Sequence, residues 1–199
     1  RGTVSDILLV FTAGKLRFMQ ENRFITLAAQ TLTTLTTAAD ATFTLNGHGY
    51  SDGDLLEVSA TAGMVELHGR QFLVGSSSTN TFKLTTLSGG VVDLSGYTAF
   101  DGTETVAEVY TIAVPYLKDE LYALDVTQRN NNIRLTHQNH PRNKLAFNSL
   151  TSWTLSEVVS GTTIAPPTAI TGSASTTGTA GTSYGVTSVD SEGIESVIS

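Results

Sequence analysis

Between residues 41 and 110, five short runs alternate apolar and polar side chains: ATFTL (41–45), LLEVS (55–59), RQFLV (70–74), NTFKL (80–84) and ETVAEVY (104–110). A period of two puts every second side chain on one face, which is the signature of a strand with one buried face and not of an amphipathic helix. The intervening segments GHGYSDGD, ATAGM, GSSST and SGG are rich in turn formers. Strands this short with turns this frequent predict a small β-barrel over residues 42–110. A barrel of that size buries little surface alone and is expected to lean on a neighbour. Composition agrees. Hydrophobic residues are 40% and charged residues 15%, enough apolar material for a core, and abundant Thr and Val favour pleated sheet.

The flanks read as β structure of a different kind. In DILLVFTAGKLRFMQENRFITL (6–27), Asp6–Phe11 is an apolar strand and Ala13-Gly14 a tight turn. Leu16, Phe18 and Gln20 return from it, and Glu21-Asn22 offers a second turn before Arg23–Leu27. Residues 1–41 are expected to form a hairpin at the edge of a propeller-like body, with the Thr- and Ala-rich stretch 28–41 leading into the barrel. Beyond the barrel, Pro115–Leu121 is expected to make one helical turn with proline near its start. Four strands follow: YALDVTQ, NIRLTH, KLAFN and WTLSEV, with turns at RNNN, QNHPRN and SLTS. Four antiparallel strands in a meander make one β-propeller blade, expected over 111–160. One blade closes no ring, so further blades are expected outside this stretch. Pro166-Pro167 marks a boundary. The strict alternation around Tyr184, Val186 and Ser188 predicts the start of a β-sandwich of the immunoglobulin or fibronectin type III kind over 161–199. The fold class expected is therefore all-β throughout. Arg1 at the start, and an apolar run broken off at Ser199, lead us to expect a fragment of a longer chain.

Charge and residue type remove several chemistries. The net charge is −7 and the sequence pI about 4.9, so the chain lacks a basic footprint for gripping nucleic acid. An acidic surface repels phosphate, which suits a soluble protein or a wall that DNA slides past without sticking. The chain has no cysteine, which removes disulfides, thiolate metal sites and a cysteine nucleophile. No apolar run approaches the length of a membrane-spanning helix.

Each tempting constellation has a plain structural reading. In GMVELHGR (63–70), His68-Gly69 sits between two expected strands, Val65–Leu67 and Arg70–Val74, and is read as a hairpin turn. Ser51-Asp52-Gly53-Asp54 and Asp190-Ser191-Glu192-Gly193 lack the regular oxygen spacing of a calcium loop and are read as β-turns. His137 and His140 are spaced by three on a strand running into Pro141, with no acidic residue nearby in sequence to complete a metal site. Trp153 is read as a core anchor. No carboxylate pair, GxSxG, phosphate loop or dinucleotide fingerprint is present. No catalytic, cofactor-binding or metal-ligating residue is assigned, and the chain is expected not to be an enzyme.

The barrel segment nonetheless resembles a known module. His48-Gly49-Tyr50, Gly53-Asp54, Gly63-Met64-Val65-Glu66-Leu67, Gly69 and Thr81-Phe82 occur in the order of the first catalytic-cysteine half-domain of ubiquitin-activating enzymes. With no cysteine and no nucleotide motif, the resemblance implies the barrel and none of the activating chemistry. A wider resemblance spans residues 6–160. An apolar hairpin precedes the barrel. Then come Val109-Tyr110-Thr111-Ile112 with Pro115-Tyr116 through Leu121, Leu124 and Gln128, and the segment Ile133 to Leu145 with its His140-Pro141 corner. Thr151-Ser152-Trp153-Thr154-Leu155 closes the series. This order resembles the tail nozzle or tail-tube proteins of short-tailed bacteriophages. Arg142 and Asn143 stand where that family more often carries a second proline.

The resemblance implies a structural virion protein made in the bacterial host cytoplasm. It would be a homo-oligomer, a hexamer by the family pattern, forming a channel through which DNA passes without sequence-specific binding. Adjoining tail adaptor and fibre proteins would be its partners, and no cofactor is implied. A second expectation is a receptor-binding or adhesin module touching a cell-surface glycan, with Tyr50, Tyr97 and Phe100 as the nearby aromatic candidates. A glycan hydrolase, which needs a defined carboxylate pair, ranks last.

Overall fold

The computed structural model describes residues 6–158, 164–168, 171, 185–189 and 195–196. The chain divides into two units, Arg1–Ser156 and Glu157–Ser199. In the first, β1 (Ile7–Thr12) and β2 (Lys15–Gln20) pair antiparallel from Ile7↔Gln20 to Thr12↔Lys15. The two residues left over, Ala13 and Gly14, make the turn, and Gly14 takes the positive φ of 69° that a two-residue hairpin asks for. Glu21 and Asn22 both adopt positive φ and fold β3 (Arg23–Phe24) back onto β2. Both turns lie where the sequence places them.

The chain then leaves this sheet as a paired stalk. Thr26 bridges Val109, the Leu27 N–H donates to Glu108 O (2.8 Å), and the Tyr110 N–H donates to Ile25 O (2.8 Å). Between those contacts lies the barrel: β4 (Gln30–Thr31), β5 (Thr34–Leu35), β6 (Phe43–Thr44), β7 (Leu55–Ser59), β8 (Gln71–Gly75), β9 (Thr81–Thr85) and β10 (Thr105–Glu108). Their order in the sheet is β4-β10-β7-β8-β9-β6-β5. The two ends of that order, β4 and β5, lie within one stretch, residues 30–35. The Leu32 N–H reaches Glu104 O (3.0 Å) on one side and the Thr33 N–H reaches Thr44 O (2.8 Å) on the other. One bent segment thus supplies both ends of the curled sheet, and the barrel begins ahead of the expected start at Thr42. Alternate residues point inward as predicted, with Leu56, Val58, Phe72, Val74, Phe82 and Leu84 buried. Phe43 stacks on Phe82 at 5.4 Å between ring centroids. Burying each such side chain stabilises the fold by about 1.5–3 kcal/mol.

After the stalk, β11 (Thr111–Ala113) pairs with β2 and completes the hairpin's sheet, β1-β2-β11 with β3 also on β2. Residues 111–113 therefore belong to the hairpin's sheet, where the blade was expected to begin. Pro115 precedes a 3₁₀ turn, Lys118–Ala123, at the place expected for one helical turn. Then β12 (Asp125–Arg129), β13 (Asn132–His137), β14 (His140–Ser149) and β15 (Ser152–Glu157) run as a four-stranded antiparallel meander. The expected turn QNHPRN shrinks to Gln138-Asn139, because β14 already starts at His140. A register shift between Leu135 and His137 accommodates this. Such a bulge interrupts the ladder where Pro141 has no N–H to donate.

Meander and hairpin sheet share one core of Leu16, Phe18, Val114, Tyr116, Ile133, Leu135 and Leu145. Trp153 stacks on Phe18 at 4.6 Å and meets Phe147 edge-on at 5.0 Å, an anchor as read from sequence. The chain is all-β, with propeller-like blade strands and an inserted small barrel. In the second unit Val189 and Glu195 form an antiparallel bridge, and the Ser196 N–H donates to Ser188 O (2.8 Å). Most of the expected sandwich start, including Asp190–Gly193, lies outside the described residues.

Candidate functional site

GMVELHGR is a folded corner built differently from the sequence expectation. Val65–Leu67 is a 3₁₀ turn where a strand was predicted. Met64 and Leu67 are both fully buried, and a spacing of three puts them on one side of a 3₁₀ turn while Val65 faces out. Gly63 has φ +48°, and a Cβ there would run into the Glu104 carboxylate and come within 2.7 Å of Asp101 Oδ1. Glu104 is itself fully buried. It accepts from the Met64 N–H (2.9 Å) and the Gly102 N–H (3.1 Å), so its carboxylate binds two backbone donors in place of a ladder. His68 Nδ1 accepts from the Ala60 N–H (3.2 Å), and Gly69 takes φ +70°. The Glu104 carboxylate and His68 Nδ1 therefore each have a scaffolding task.

The other barrel candidates resolve in the same direction. Ser51–Asp54 is a β-turn closed by the Asp54 N–H to Ser51 O (3.0 Å) and the Ser51 N–H to Asp54 Oδ2 (2.8 Å). Its carboxylates brace neighbours: Asp52 Oδ1 accepts from the Ser77 N–H (2.7 Å), and Asp54 lies 3.8 Å from Lys15 Nζ. Tyr50 is buried beside His48 and Phe82, and Tyr97 and Phe100 pack against the same core. Burial first, and then the charge of Glu108, pushes the Tyr50 phenol up to about 12. These three aromatics make core and not an exposed sugar platform. Between the hairpin sheet and the meander, Ile7, Leu9, Ile133, Phe147 and Trp153 line a groove of about 560 Å³.

The meander carries the cluster that sequence spacing does not reveal. The β13–β14 turn sets the His137 and His140 rings 5.2 Å apart, and Tyr116 meets His140 edge-on at 5.3 Å. The 3₁₀ turn brings in Glu120, twenty residues before His140 in the chain, whose Oε2 lies 2.8 Å from His140 Nε2. The Leu117 N–H also donates to that oxygen (2.8 Å), and it is the first cause, ahead of His140, that holds the Glu120 carboxyl below the usual range. A ligand atom from each of Glu120, His137 and His140 lies within 4.8 Å of the others. Set aside in the sequence for want of an acid, the two histidines acquire one through the fold. The only sequence signal was Glu120 in the turn after Pro115.

No protein-family model matches this chain, and no curated protein matches it. Among solved structures it is similar to the phage phi92 endosialidase, at 17% identity and a TM-score of 0.27. The similarity covers 78% of this chain and spans 30% of that protein's chain. The expectation that this chain is not an enzyme is corrected here, because the protein it resembles in structure is named for an enzyme. A likeness at that TM-score carries no activity across to this chain.

Proposed function

We propose that this chain is a structural component of a bacteriophage tail, of the nozzle or tail-tube kind, that assembles with copies of itself around a passage for DNA. The order of elements supports this reading. A hairpin sheet, a barrel leaving and re-entering through a paired stalk, a Pro-Tyr crossover and a four-stranded blade follow one another. That is the order in which the tail-protein resemblance places them, with the barrel as an insertion carried by a propeller-like body. The acidic balance of −7 suits a wall that does not hold DNA. Tail adaptor and fibre proteins are the partners this role implies, and the virion is its location.

The test is the mass and assembly state of the full-length protein, by light scattering and negative-stain imaging. A ring or tube of about six copies with an open lumen is expected. A monomer or a slender trimer overturns the proposal.

A further inference from the structure

We propose that Glu120, His137 and His140 form a three-ligand site for a divalent transition metal of the zinc class, with a fourth position left to water. The site stands on its own geometry and does not depend on the tail reading. Two imidazoles and one carboxylate are a donor set that zinc accepts, with the metal about 2.0–2.2 Å from each ligand atom. Tetrahedral geometry at those lengths wants ligand atoms roughly 3.3 Å apart. The observed spread, all within 4.8 Å, is reached from side chains already facing one another.

Three features favour loading. First, the hydrogen bond that His137 Nδ1 accepts from the Asn139 N–H is long, at 3.2 Å, so a metal taking that nitrogen's one lone pair displaces a weak partner. Second, the Leu117 N–H donates to the same Glu120 Oε2 that faces His140 and so holds the carboxylate in place toward the histidines, the outer-shell support that ligating carboxylates commonly have. Third, the ligands are sheltered: His137 is buried, and the Glu120 and His140 side chains are each 19% exposed. Binding replaces the proton shared by His140 Nε2 and Glu120 with the metal, and that proton goes to solvent. The loaded site would staple the 3₁₀ turn to the tip of the β13–β14 hairpin.

The test is titration of the full-length, chelator-treated protein with Zn²⁺ and with Co²⁺ alone. One ion per chain is expected, with Co²⁺ giving the strong visible bands of a tetrahedral site and Zn²⁺ raising the Tm reversibly on chelation. Glu120→Gln and His140→Asn should each weaken Zn²⁺ binding at least tenfold while leaving the far-UV spectrum of the metal-free protein unchanged. Glu120→Gln lies on the surface turn and serves if His140→Asn does not fold. Absence of uptake by the wild type, or equal uptake by Glu120→Gln, overturns the site.

Discussion

The barrel and the body solve the same problem with opposite use of the chain. The barrel's core comes from one unbroken stretch, Leu32 to Val106. The body's core is split around it, with Leu16 and Phe18 from before the barrel and Val114 to Leu145 from after it. The barrel can therefore complete its core while the rest of the chain is still unfolded. The body cannot form until both ends of the excursion have returned, and the stalk at Thr26 and Val109 is what brings them together. Side chains tie the two across the junction through ion pairs, Arg23 to Glu57 at 3.0 Å and Lys15 to Asp54 at 3.8 Å, with Lys15 Nζ also donating to Gly53 O at 3.1 Å. Exposed ion pairs of this kind contribute at most about 1 kcal/mol, so the two cores are expected to lose stability separately.

The sharpest break in that comparison is a pair of core truncations. Phe82→Ala and Phe18→Ala should each cost about 3–5 kcal/mol. Hydrogen exchange should confine the first loss to amides of 30–108. The second should spread to 7–20 and 111–157 together, on both sides of the barrel. If Phe82→Ala loosens the body equally, the cores are one cooperative unit and the distinction fails.

Next in size is Gly63→Ala, which meets both a left-handed backbone and the Glu104 carboxylate. A loss of about 2–3 kcal/mol is expected, read by denaturant melts. Gly69→Ala has open space around it and should cost only about 1 kcal/mol. Equal losses would mean that the carboxylate moves aside freely. On the body side, Tyr116→Phe deprives the buried Asn143 Nδ2 of its 3.2 Å acceptor and should cost about 1–2 kcal/mol. The barrel amides should not register it.

The smallest effect lies at the junction. Desolvation first, and then the charge of Asp54, raises the Glu108 carboxyl above its ordinary value of 4.5, with Lys15 opposing. A carboxyl whose folded pKa is raised binds its proton more tightly in the folded state. Stability is then lost as pH climbs from the unfolded value through the folded one. Glu108→Gln should flatten that decline in pH-dependent melts, and an unchanged slope would remove Glu108 as its source.

What the sequence makes legible follows from how local each cause is. The Ala13-Gly14 and Glu21-Asn22 turns, and the inward faces of β7, β8 and β9, are set by neighbours a few residues away, and period and turn chemistry find them. The bent segment 30–35 escapes because its strands are two residues each and its Thr-rich sequence does not specify a register. Val65–Leu67 escapes because three residues with two apolar ends fit a short strand and a 3₁₀ turn alike. Glu120 escapes for a longer-range reason. Its meeting with His140 depends on the crossover from β11 and on the bulge in β13, and neither appears in the spacing of acids and histidines.

The single segment that supplies both ends of the barrel sheet has a consequence for crowding. A sheet edge left open displays a row of unpaired N–H and C=O groups to which another chain can add a strand. In the barrel, both ends of the sheet finish on residues 30–35, with β4 on β10 and β5 on β6. Each end strand is two residues long, so copies packed side by side at high local concentration would find only a short strand template on their barrels. Association through backbone pairing is then directed away from the inserted module.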